Sequence, residues 1–203
     1  MKFYNSIGPN PHVVRMYASE LGINLDMEDV DLMAGDNRKE PYLSKNPSGQ
    51  LPCLETDSGE FISEITAICE YLDDITDGKT LMGNTAEERA QTRMWTRRVD
   101  LNICETMANG FRYSDGLPLF KSRMTTIPEA AEGLKGLAQE KMTWLDGQMG
   151  DSEFIGGSKI SLADVLLYCF VAFGATIGQP LSGDLKKLSA WNERMSSRAS
   201  ASA

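Results

Sequence analysis

Histidine and cysteine, two residue types that often carry catalysis or bind metals, are scarce and widely spaced in this sequence. A single histidine, His12, provides almost no material for a zinc site or a histidine-dependent triad. The four cysteines stand at positions 53, 69, 104 and 169, without a Cys-x-x-Cys pair. Each lies within an apolar pattern, which favours reduced, buried thiols over a metal or disulfide role. The sequence therefore predicts chemistry without a bound metal.

The stretch from Asn46 to Leu72 combines turn residues with a polar helix start. Prolines and a glycine punctuate a loop at positions 47, 49 and 52. Leu51–Leu54 predicts a strand, Asp57–Gly59 a hairpin turn, and apolar residues at 65, 68, 69 and 72 one face of a helix. Ser63 or Glu64 begins that helix, where a polar side chain meets free backbone N–H groups.

This combination resembles the glutathione-binding half of the soluble, cytosolic-type glutathione transferases. The matching positions are Asn46-Pro47, Gly49, Leu51-Pro52, Gly59 and Glu64-x-x-Ala67-Ile68. Ile65 stands where the family has a serine. The family's proline is cis, so the resemblance implies a cis Leu51–Pro52 bond, a geometry found essentially only before proline. The backbone of Leu51 would then pair with an extended peptide such as glutathione, as an added strand does.

The first 75 residues contain both strand and helix patterns. Lys2–Asn5 and Leu25–Leu32 predict strands on either side of a helix from about Pro11 to Leu21, with Asn10 as its N-cap. Together with the later hairpin and helix they have the order βαβ-ββα. That order matches a thioredoxin-like α/β domain, which we expect over residues 1–76.

From about residue 84 onward the sequence contains helix patterns and no strand. Capping-box signatures occur at Asn84 or Thr85 with Glu87 or Glu88, and at Ser161 with Asp164. The segment Phe154–Gly157, followed by Ser161-x-x-Asp164, is also similar to the transferase helical domain. We therefore expect a linker over residues 77–83 and an all-α C-terminal domain over residues 84–203, as in the glutathione transferase fold.

The resemblance implies that the protein lowers the pKa of the glutathione thiol in the loop between the first strand and the first helix. The family's usual serine position falls on Gly8, which has no side chain. Gly8-Pro9-Asn10 is similar to the Thr-Pro-Asn of bacterial nu-class transferases, in which the asparagine amide points at the sulfur. Asn10 is therefore the first candidate thiolate donor and Ser6 the second. A plain N-cap role for Asn10 and a turn role for Ser6 are the alternatives.

The resemblance also assigns residues to the rest of glutathione. Glu64 would pair with the γ-glutamyl ammonium, and the N–H groups of Ile65 and Thr66 would bind the neighbouring carboxylate. Gln50, Leu51 and Pro52 would hold the peptide part. Weaker candidates for the glycyl carboxylate are Asn37 and Arg38. Residues that would line a second-substrate pocket, or pack in a core or dimer, are Trp95, Met107, Phe111, Arg112 and Tyr113.

Charge and hydropathy limit the partners. The net charge of −9 argues against binding to phosphate backbones. No signal-peptide pattern opens the sequence and no apolar stretch approaches about 18 residues, so we expect a cytoplasmic protein without a membrane span.

The expected function is that of a homodimeric glutathione transferase, which directs a glutathione thiolate at a hydrophobic electrophile, a peroxide or a disulfide. The alternatives are a non-catalytic protein of the same fold that binds a ligand or partner, and a glutathione-dependent disulfide reductase or β-etherase.

Overall fold

The computed structural model describes residues 1–78 and 80–203; Lys79, in the predicted linker, lies outside the described residues. The chain forms two compact units. Unit 1 comprises Met1–Met82 together with Ala199–Ala203, and unit 2 comprises Gly83–Arg198. The predicted helical domain ran to residue 203, whereas the structure groups the final five residues with unit 1.

Unit 1 contains a four-stranded sheet in the order β2-β1-β3-β4. The strands are β1 (Lys2–Asn5), β2 (Asp26–Asp29), β3 (Cys53–Glu55) and β4 (Phe61–Ser63). Strand β1 pairs parallel to β2 and antiparallel to β3, and β3 pairs antiparallel to β4. This is the predicted βαβ-ββα topology. Strand β2 ends at Asp29, three residues before the predicted end.

Two helices accompany the sheet, α1 (Pro9–Leu21) and α2 (Ile65–Asp74), and they pack against each other. Alternate residues of a strand point to opposite faces, so the sheet contributes to two apolar clusters. Phe3 and Leu54 are fully buried on one phase. On the other phase, Tyr4 and Cys53 pack with Tyr42 and Leu51. The core therefore fixes both faces of the strands from which the site residues emerge.

The first helix begins earlier than the sequence predicted. Helix α1 starts at Pro9, with Gly8 as its N-cap, so the predicted start at Pro11 and the predicted N-cap at Asn10 are wrong. Asn10 is instead the second helical residue. Gly22 ends the helix in the left-handed conformation, with its N–H on the carbonyl of Ser19.

Unit 2 is helical. Its helices are α3 (Ala86–Val99), α4 (Glu105–Arg112), α5 (Leu117–Phe120), α6 (Ala131–Gln148), α7 (Leu162–Thr176) and α8 (Lys186–Ser196), and a π-helical turn at Asp100–Cys104 joins α3 to α4. Between residues 83 and 198 the structure has no strand, only an isolated bridge between Phe154 and Gly157. The predicted capping box is confirmed at Thr85 and Glu88.

Helix α7 is the centre of unit 2, since eleven of its fifteen residues are buried. Its buried Asp164 accepts hydrogen bonds from the backbone N–H of Ile155, from the N–H and hydroxyl of Ser161, and from the indole N–H of Trp191. Burial raises the pKa of the Asp164 carboxyl, and these bonds oppose that shift. The predicted Ser161–Asp164 contact is thus present at the start of the most buried helix.

Within the described ranges, no helix combines the length and apolar character needed to cross a membrane.

Candidate glutathione site

Three segments of unit 1 leave the sheet at the same end. Tyr4 of β1 lies opposite Cys53 of β3, and Cys53 lies opposite Ser63 of β4. The β1–α1 loop follows Tyr4 and Asn5, Leu51-Pro52 precedes Cys53, and Glu64 follows Ser63. The register therefore brings together the three regions that the sequence predicted to bind glutathione.

Gly8 has a backbone conformation that excludes a side chain. Its φ is 106° and its ψ is 174°, a region populated essentially by glycine alone. A Cβ added there would meet nothing within 4 Å, so the restriction comes from the torsion angles and not from crowding. A serine at this position would require a different path from β1 into α1.

The first turn of α1 offers few hydrogen-bond donors. Its first three residues are Pro9, Asn10 and Pro11, and proline has no N–H. Only Asn10 can present a backbone donor from these positions. Its half-buried side chain has no hydrogen-bond partner in the described part of the chain. Asn10 therefore has both an N–H and a side-chain amide at the start of the helix.

Ser6, the second candidate donor, is already engaged. Its buried hydroxyl donates to the carbonyl oxygen of Val30 at 2.8 Å. A thiolate would have to compete with that acceptor for the hydroxyl proton. Ser6 therefore lies in the predicted β1–α1 loop, but its hydroxyl is already bonded to the Val30 carbonyl.

Glu64 is the N-cap of α2, and its φ of 71° is the one positive φ among non-glycine residues in residues 1–78 and 80–203. Such a conformation costs about 1–3 kcal/mol and is most common at functional sites. Its carbonyl accepts from the N–H of Ile68 at 3.0 Å, and its side chain is exposed. Ile65, Thr66 and Ala67 present the first-turn N–H groups, a suitable set for a carboxylate.

Leu51 has a backbone suited to pairing with a peptide. The Leu51–Pro52 bond is cis, as the resemblance implied. Within the described residues, neither the N–H nor the C=O of Leu51 has a hydrogen-bond partner, although its side chain is buried. Buried backbone groups are nearly always paired. An extended peptide such as glutathione would satisfy both groups.

The loop before Leu51 is held by the side chains of Tyr42 and Asn46. The carbonyl of Gln50 accepts from the Tyr42 hydroxyl at 2.6 Å and from the Asn46 amide at 2.8 Å. The Asn46 side-chain oxygen in turn accepts from the N–H and hydroxyl of Ser48. Asn46 stood in the recognised motif, but nothing in the spacing indicated Tyr42. The exposed side chain of Gln50 has no partner among the residues described.

Asn37 and Arg38 contact the same loop from behind. The Asn37 amide is buried and donates to the Gly49 carbonyl at 2.6 Å, and Arg38 Nη1 lies 3.4 Å from the Ser48 carbonyl. Gly49 has a φ of 63°, and a Cβ there would lie 3.0 Å from Arg38 Cδ and from the Asn37 carbonyl oxygen. Both side chains therefore support the loop in this structure.

The protein's own thiols are poorly suited to nucleophilic attack. All four cysteines are free and buried. Burial, with the nearby Glu55 charge, raises the pKa of Cys53, in β3 beside the site, to about 11. A raised thiol pKa argues against Cys53 as the nucleophile of this site.

The residues predicted to line a second-substrate pocket lie in unit 2. Met107 is fully buried and belongs to the core. Phe111 makes edge-to-face contacts with Phe120 and Phe173, at ring-centroid distances of 6.2 and 5.5 Å. The remaining predicted residues are Arg112, which pairs with Glu105 at 3.2 Å, Trp95, whose ring lies 6.2 Å from that of Trp144, and the half-buried Tyr113.

Comparisons with known proteins identify the family of the chain. A family model described as "Glutathione S-transferase, N-terminal domain" matches residues 7–75, and one described as "Glutathione S-transferase, C-terminal domain" matches residues 116–199. Glutathione S-transferase 2 of Saccharomyces cerevisiae is 28% identical over 200 residues, which cover 95% of this chain and 84% of the yeast protein.

Two further proteins are similar to this chain, one in sequence and one in both sequence and structure. Glutathione S-transferase F10 of Arabidopsis thaliana is 30% identical over 187 residues, which cover 89% of this chain and 84% of the plant protein. A solved glutathione S-transferase domain-containing protein of Marinobacter aquaeolei superposes with a TM-score of 0.93 at 32% identity, covering 99% of this chain and 100% of that one.

The chain belongs to the glutathione S-transferase family. It is a glutathione transferase, with glutathione as co-substrate and an electrophile as second substrate. The predicted thioredoxin-like domain and helical domain are both confirmed.

Proposed function

We propose that Asn10 stabilises the glutathione thiolate and that Ser6 has a structural role. The single observation behind this proposal is the first turn of α1, where Asn10 is the only donor between two prolines and has an unpaired side-chain amide. The Ser6 hydroxyl, by contrast, donates to Val30. The free N–H of Asn10 adds to its amide, because an anion is stabilised at a helix N-terminus.

The rest of glutathione would lie along the end of the sheet. The Leu51 N–H and C=O would pair with its peptide group, beside Gln50 and Pro52. Glu64 would bind the γ-glutamyl ammonium, and the N–H groups of Ile65 and Thr66 would bind the neighbouring carboxylate. In this proposal Asn37 and Arg38 hold the loop rather than the glycyl carboxylate, because the Asn37 amide donates to the Gly49 carbonyl and Arg38 Nη1 lies within reach of the Ser48 carbonyl.

Asn10 would act by lowering the pKa of the bound thiol, which is roughly 8.5 for a free thiol. The thiol proton leaves to solvent, and the sulfur then forms a bond to an electrophilic carbon while the leaving group departs with its electron pair. Attack on a peroxide or disulfide would follow the same activation. The contribution of the chain is the donor at Asn10 and the fixed orientation of the peptide.

Titration of the thiolate absorbance of enzyme-bound glutathione tests the donor. Asn10→Ala is expected to raise the bound thiol pKa and to lower turnover by about one to two orders of magnitude, the scale of losing one preorganised donor. Asn10 is not the N-cap, so the fold should keep its stability. Ser6→Ala should leave the thiol pKa unchanged. A shift with Ser6→Ala and none with Asn10→Ala would assign the donor to Ser6.

Asn10→Asp is the matched control, because it keeps the size and shape of the side chain and changes only its charge and its hydrogen-bonding groups. It places a negative charge beside the sulfur, so it should raise the thiol pKa at least as much as Asn10→Ala does. Chemical unfolding of each variant separates a change in stability from a change at the site.

We also propose that the protein is a cytoplasmic homodimer in which residues 1–76 bind glutathione, residues 77–83 form a linker, and the helical domain begins at residue 84. Exposed large apolar side chains in both units support an interface: Phe61 and Ile75 in unit 1, Leu137 and Trp144 in unit 2. Light scattering at micromolar concentration should give twice the 22.4 kDa chain mass. A monomer would contradict the proposal.

A further inference from the structure

A chain of side-chain hydrogen bonds joins α1 to the ends of the two parallel strands. Arg15 Nη1, about two turns into α1, donates to Asn5 Oδ1 at 2.6 Å. The Asn5 amide nitrogen donates to Asp29 Oδ1, also at 2.6 Å. Asn5 is the last residue of β1 and Asp29 is the last residue of β2. The three side chains therefore connect the helix, the first strand and the second strand.

Two further bonds fix the same point of the sheet. The Val30 N–H donates to the Asn5 carbonyl at 2.9 Å, and the Val30 carbonyl accepts from the Ser6 hydroxyl at 2.8 Å. The β1–α1 loop thus begins from a position that β2 holds through both backbone and side chains. The engagement of Ser6 is part of this arrangement.

The outer side of α1 is also held, by the segment Ala199–Ala203. Arg15 Nε donates to the Ala203 carbonyl at 3.1 Å, and His12 Nε2 lies 3.1 Å from the Ala201 carbonyl oxygen. The guanidinium of Arg15 therefore bonds to β1 on one side and to this segment on the other. Both acceptors constrain its orientation.

The geometry matters because the loop that leads from β1 to the proposed thiolate donor in α1 is short. Only Ser6, Ile7 and Gly8 separate β1 from α1, and Asn10 follows one residue later. The Arg15–Asn5 bond closes a ring that contains all of these residues. The bond therefore constrains the direction in which α1 starts from the strand, and with it the position of the Asn10 amide.

We propose that Arg15, Asn5 and Asp29 are positioning residues that set the location of the Asn10 donor relative to the bound sulfur. The inference rests on the proposed role of Asn10, but it concerns groups that do not touch glutathione. These residues line a cleft of about 540 Å³ that is open to solvent, so water can partly replace each lost bond. We therefore expect an effect of about 5- to 20-fold on turnover, below that of losing the donor itself.

Asp29→Ala separates positioning from the electrostatic field. The substitution removes a negative charge, which through the field alone would lower the pKa of the bound thiol. Loss of positioning predicts the opposite, a higher thiol pKa and a lower kcat, with the KM for glutathione changed less than twofold because the peptide contacts remain. Thiolate absorbance titration and steady-state kinetics measure both. An unchanged or lowered thiol pKa overturns the proposal.

The matched control is Asp26→Ala on the same strand, an exposed aspartate outside the hydrogen-bonded chain, which should change neither quantity. Asn5→Ala breaks both bonds of the chain without changing its charge and should reproduce Asp29→Ala. Because Asp29 is exposed, its variant remains informative even if Asn5→Ala unfolds.

A donor–acceptor exchange provides the rescue. Asn5→Asp alone sets two carboxylates against each other and should raise the thiol pKa. In the double variant Asn5→Asp/Asp29→Asn, the carboxylate at position 5 accepts from both Arg15 and the amide at position 29, so kcat and the thiol pKa should return to within about twofold and 0.3 pH unit of the parent values. Failure of this rescue in a folded protein contradicts the proposal.

The proposed role of Asn10 can fail independently. If Asn10→Ala shifts the thiol pKa and Asp29→Ala does not, Asn10 is still supported as the thiolate donor, but the positioning role of Asp29 is wrong. If Asp29→Ala raises the thiol pKa and Asn10→Ala has no effect, these residues position a different donor of the same loop, and the assignment of Asn10 is wrong.

Discussion

The two helix N-termini that meet at the end of the sheet solve different chemical problems. Helix α2 opens with Ile65, Thr66 and Ala67, which all have an N–H, whereas α1 opens with two prolines and Asn10. A cluster of N–H groups suits a carboxylate, which accepts several bonds. Among the first three residues of α1, Asn10 is the one that could donate a hydrogen bond to a thiolate. In the proposed site, α2 would bind glutathione through its first-turn N–H groups and the Glu64 carboxylate, whereas α1 would act on the thiolate through Asn10 alone.

The N-caps of the two helices share a positive φ but differ in whether they have a side chain. Both have a positive φ, 106° at Gly8 and 71° at Glu64. The glycine adopts its conformation at little cost, whereas the glutamate is strained and keeps an exposed carboxylate at the site. In the proposed site, the strained cap of α2 carries the carboxylate that would bind glutathione, whereas the cap of α1 has no side chain and Asn10 would act instead.

The largest expected effect tests the α2 side of the comparison. Glu64→Ala removes the partner of the γ-glutamyl ammonium and should weaken glutathione binding by about 1.5–3 kcal/mol, the range for charge-assisted hydrogen bonds, or roughly 10- to 150-fold in Kd. Isothermal titration calorimetry measures this loss.

Glu64→Gly is the control for strain. It should lose binding to the same degree while raising the free energy of unfolding, because glycine tolerates a φ of 71°. If the folded Glu64→Ala protein binds glutathione with unchanged affinity, the Glu64 carboxylate does not bind the γ-glutamyl ammonium.

The next effect concerns the cap of α1. Gly8→Ala should lower the free energy of unfolding by about 1–3 kcal/mol, since alanine must adopt a φ of 106° and a ψ of 174°. Urea unfolding provides the measurement. Gly136→Ala on α6, a helical glycine with open space at its Cβ and an ordinary φ, is the control and should not destabilise the protein. Equal stability of Gly8→Ala and the parent would show that the loop can change its path.

The comparison also shows what the sequence can predict. The sequence limited the cap of α2 to Ser63 or Glu64, because a polar residue there precedes apolar residues at helical spacing, and the structure has Glu64 as the N-cap. The start of α1 was misplaced by two residues, since Pro11 and Asn10 have the local features of a first helical residue and an N-cap. The torsion angles of Gly8 decide the true start, and they depend on how β1 and α1 are held together. That information is not local.

The same limit applies to the site. The Leu51-Pro52 segment was recognisable because its residues are contiguous. Asn37 donates to Gly49, twelve positions away, and Asn5 donates to Asp29, twenty-four positions away. Spacing of this kind has no periodicity to detect. Residues that bind through a local motif are therefore predictable, and residues that hold the motif in place become visible only in the folded chain.

A smaller effect follows from restoring a donor to α1. Pro9→Ala returns an N–H to the first helical position and makes α1 more like α2. One added N–H at a helix N-terminus contributes about 0.3–1 kcal/mol, so the thiol pKa of bound glutathione should fall by roughly 0.2–0.7 unit. Thiolate absorbance reports it. Pro118→Ala, in the first turn of α5, should leave the thiol pKa unchanged. A rise with Pro9→Ala would mean that the proline orients Asn10.

The smallest expected effect is a pH dependence of the free energy of unfolding that arises in α1. His12, on this helix, is the one histidine of the chain. Burial lowers the pKa of His12, the Arg15 charge acts in the same direction, and the bond to the Ala201 carbonyl opposes them. The folded protein therefore binds the proton less readily than the unfolded chain, whose histidine has a pKa near 6.5. This part of the stability is present above about pH 6.5 and is lost as the pH falls through the lowered folded value. His12→Gln keeps a donor for Ala201 and removes the titration, so the free energy of unfolding should depend less steeply on pH between 5 and 7. An identical slope in the parent and His12→Gln proteins would mean that His12 has the same proton affinity in both states.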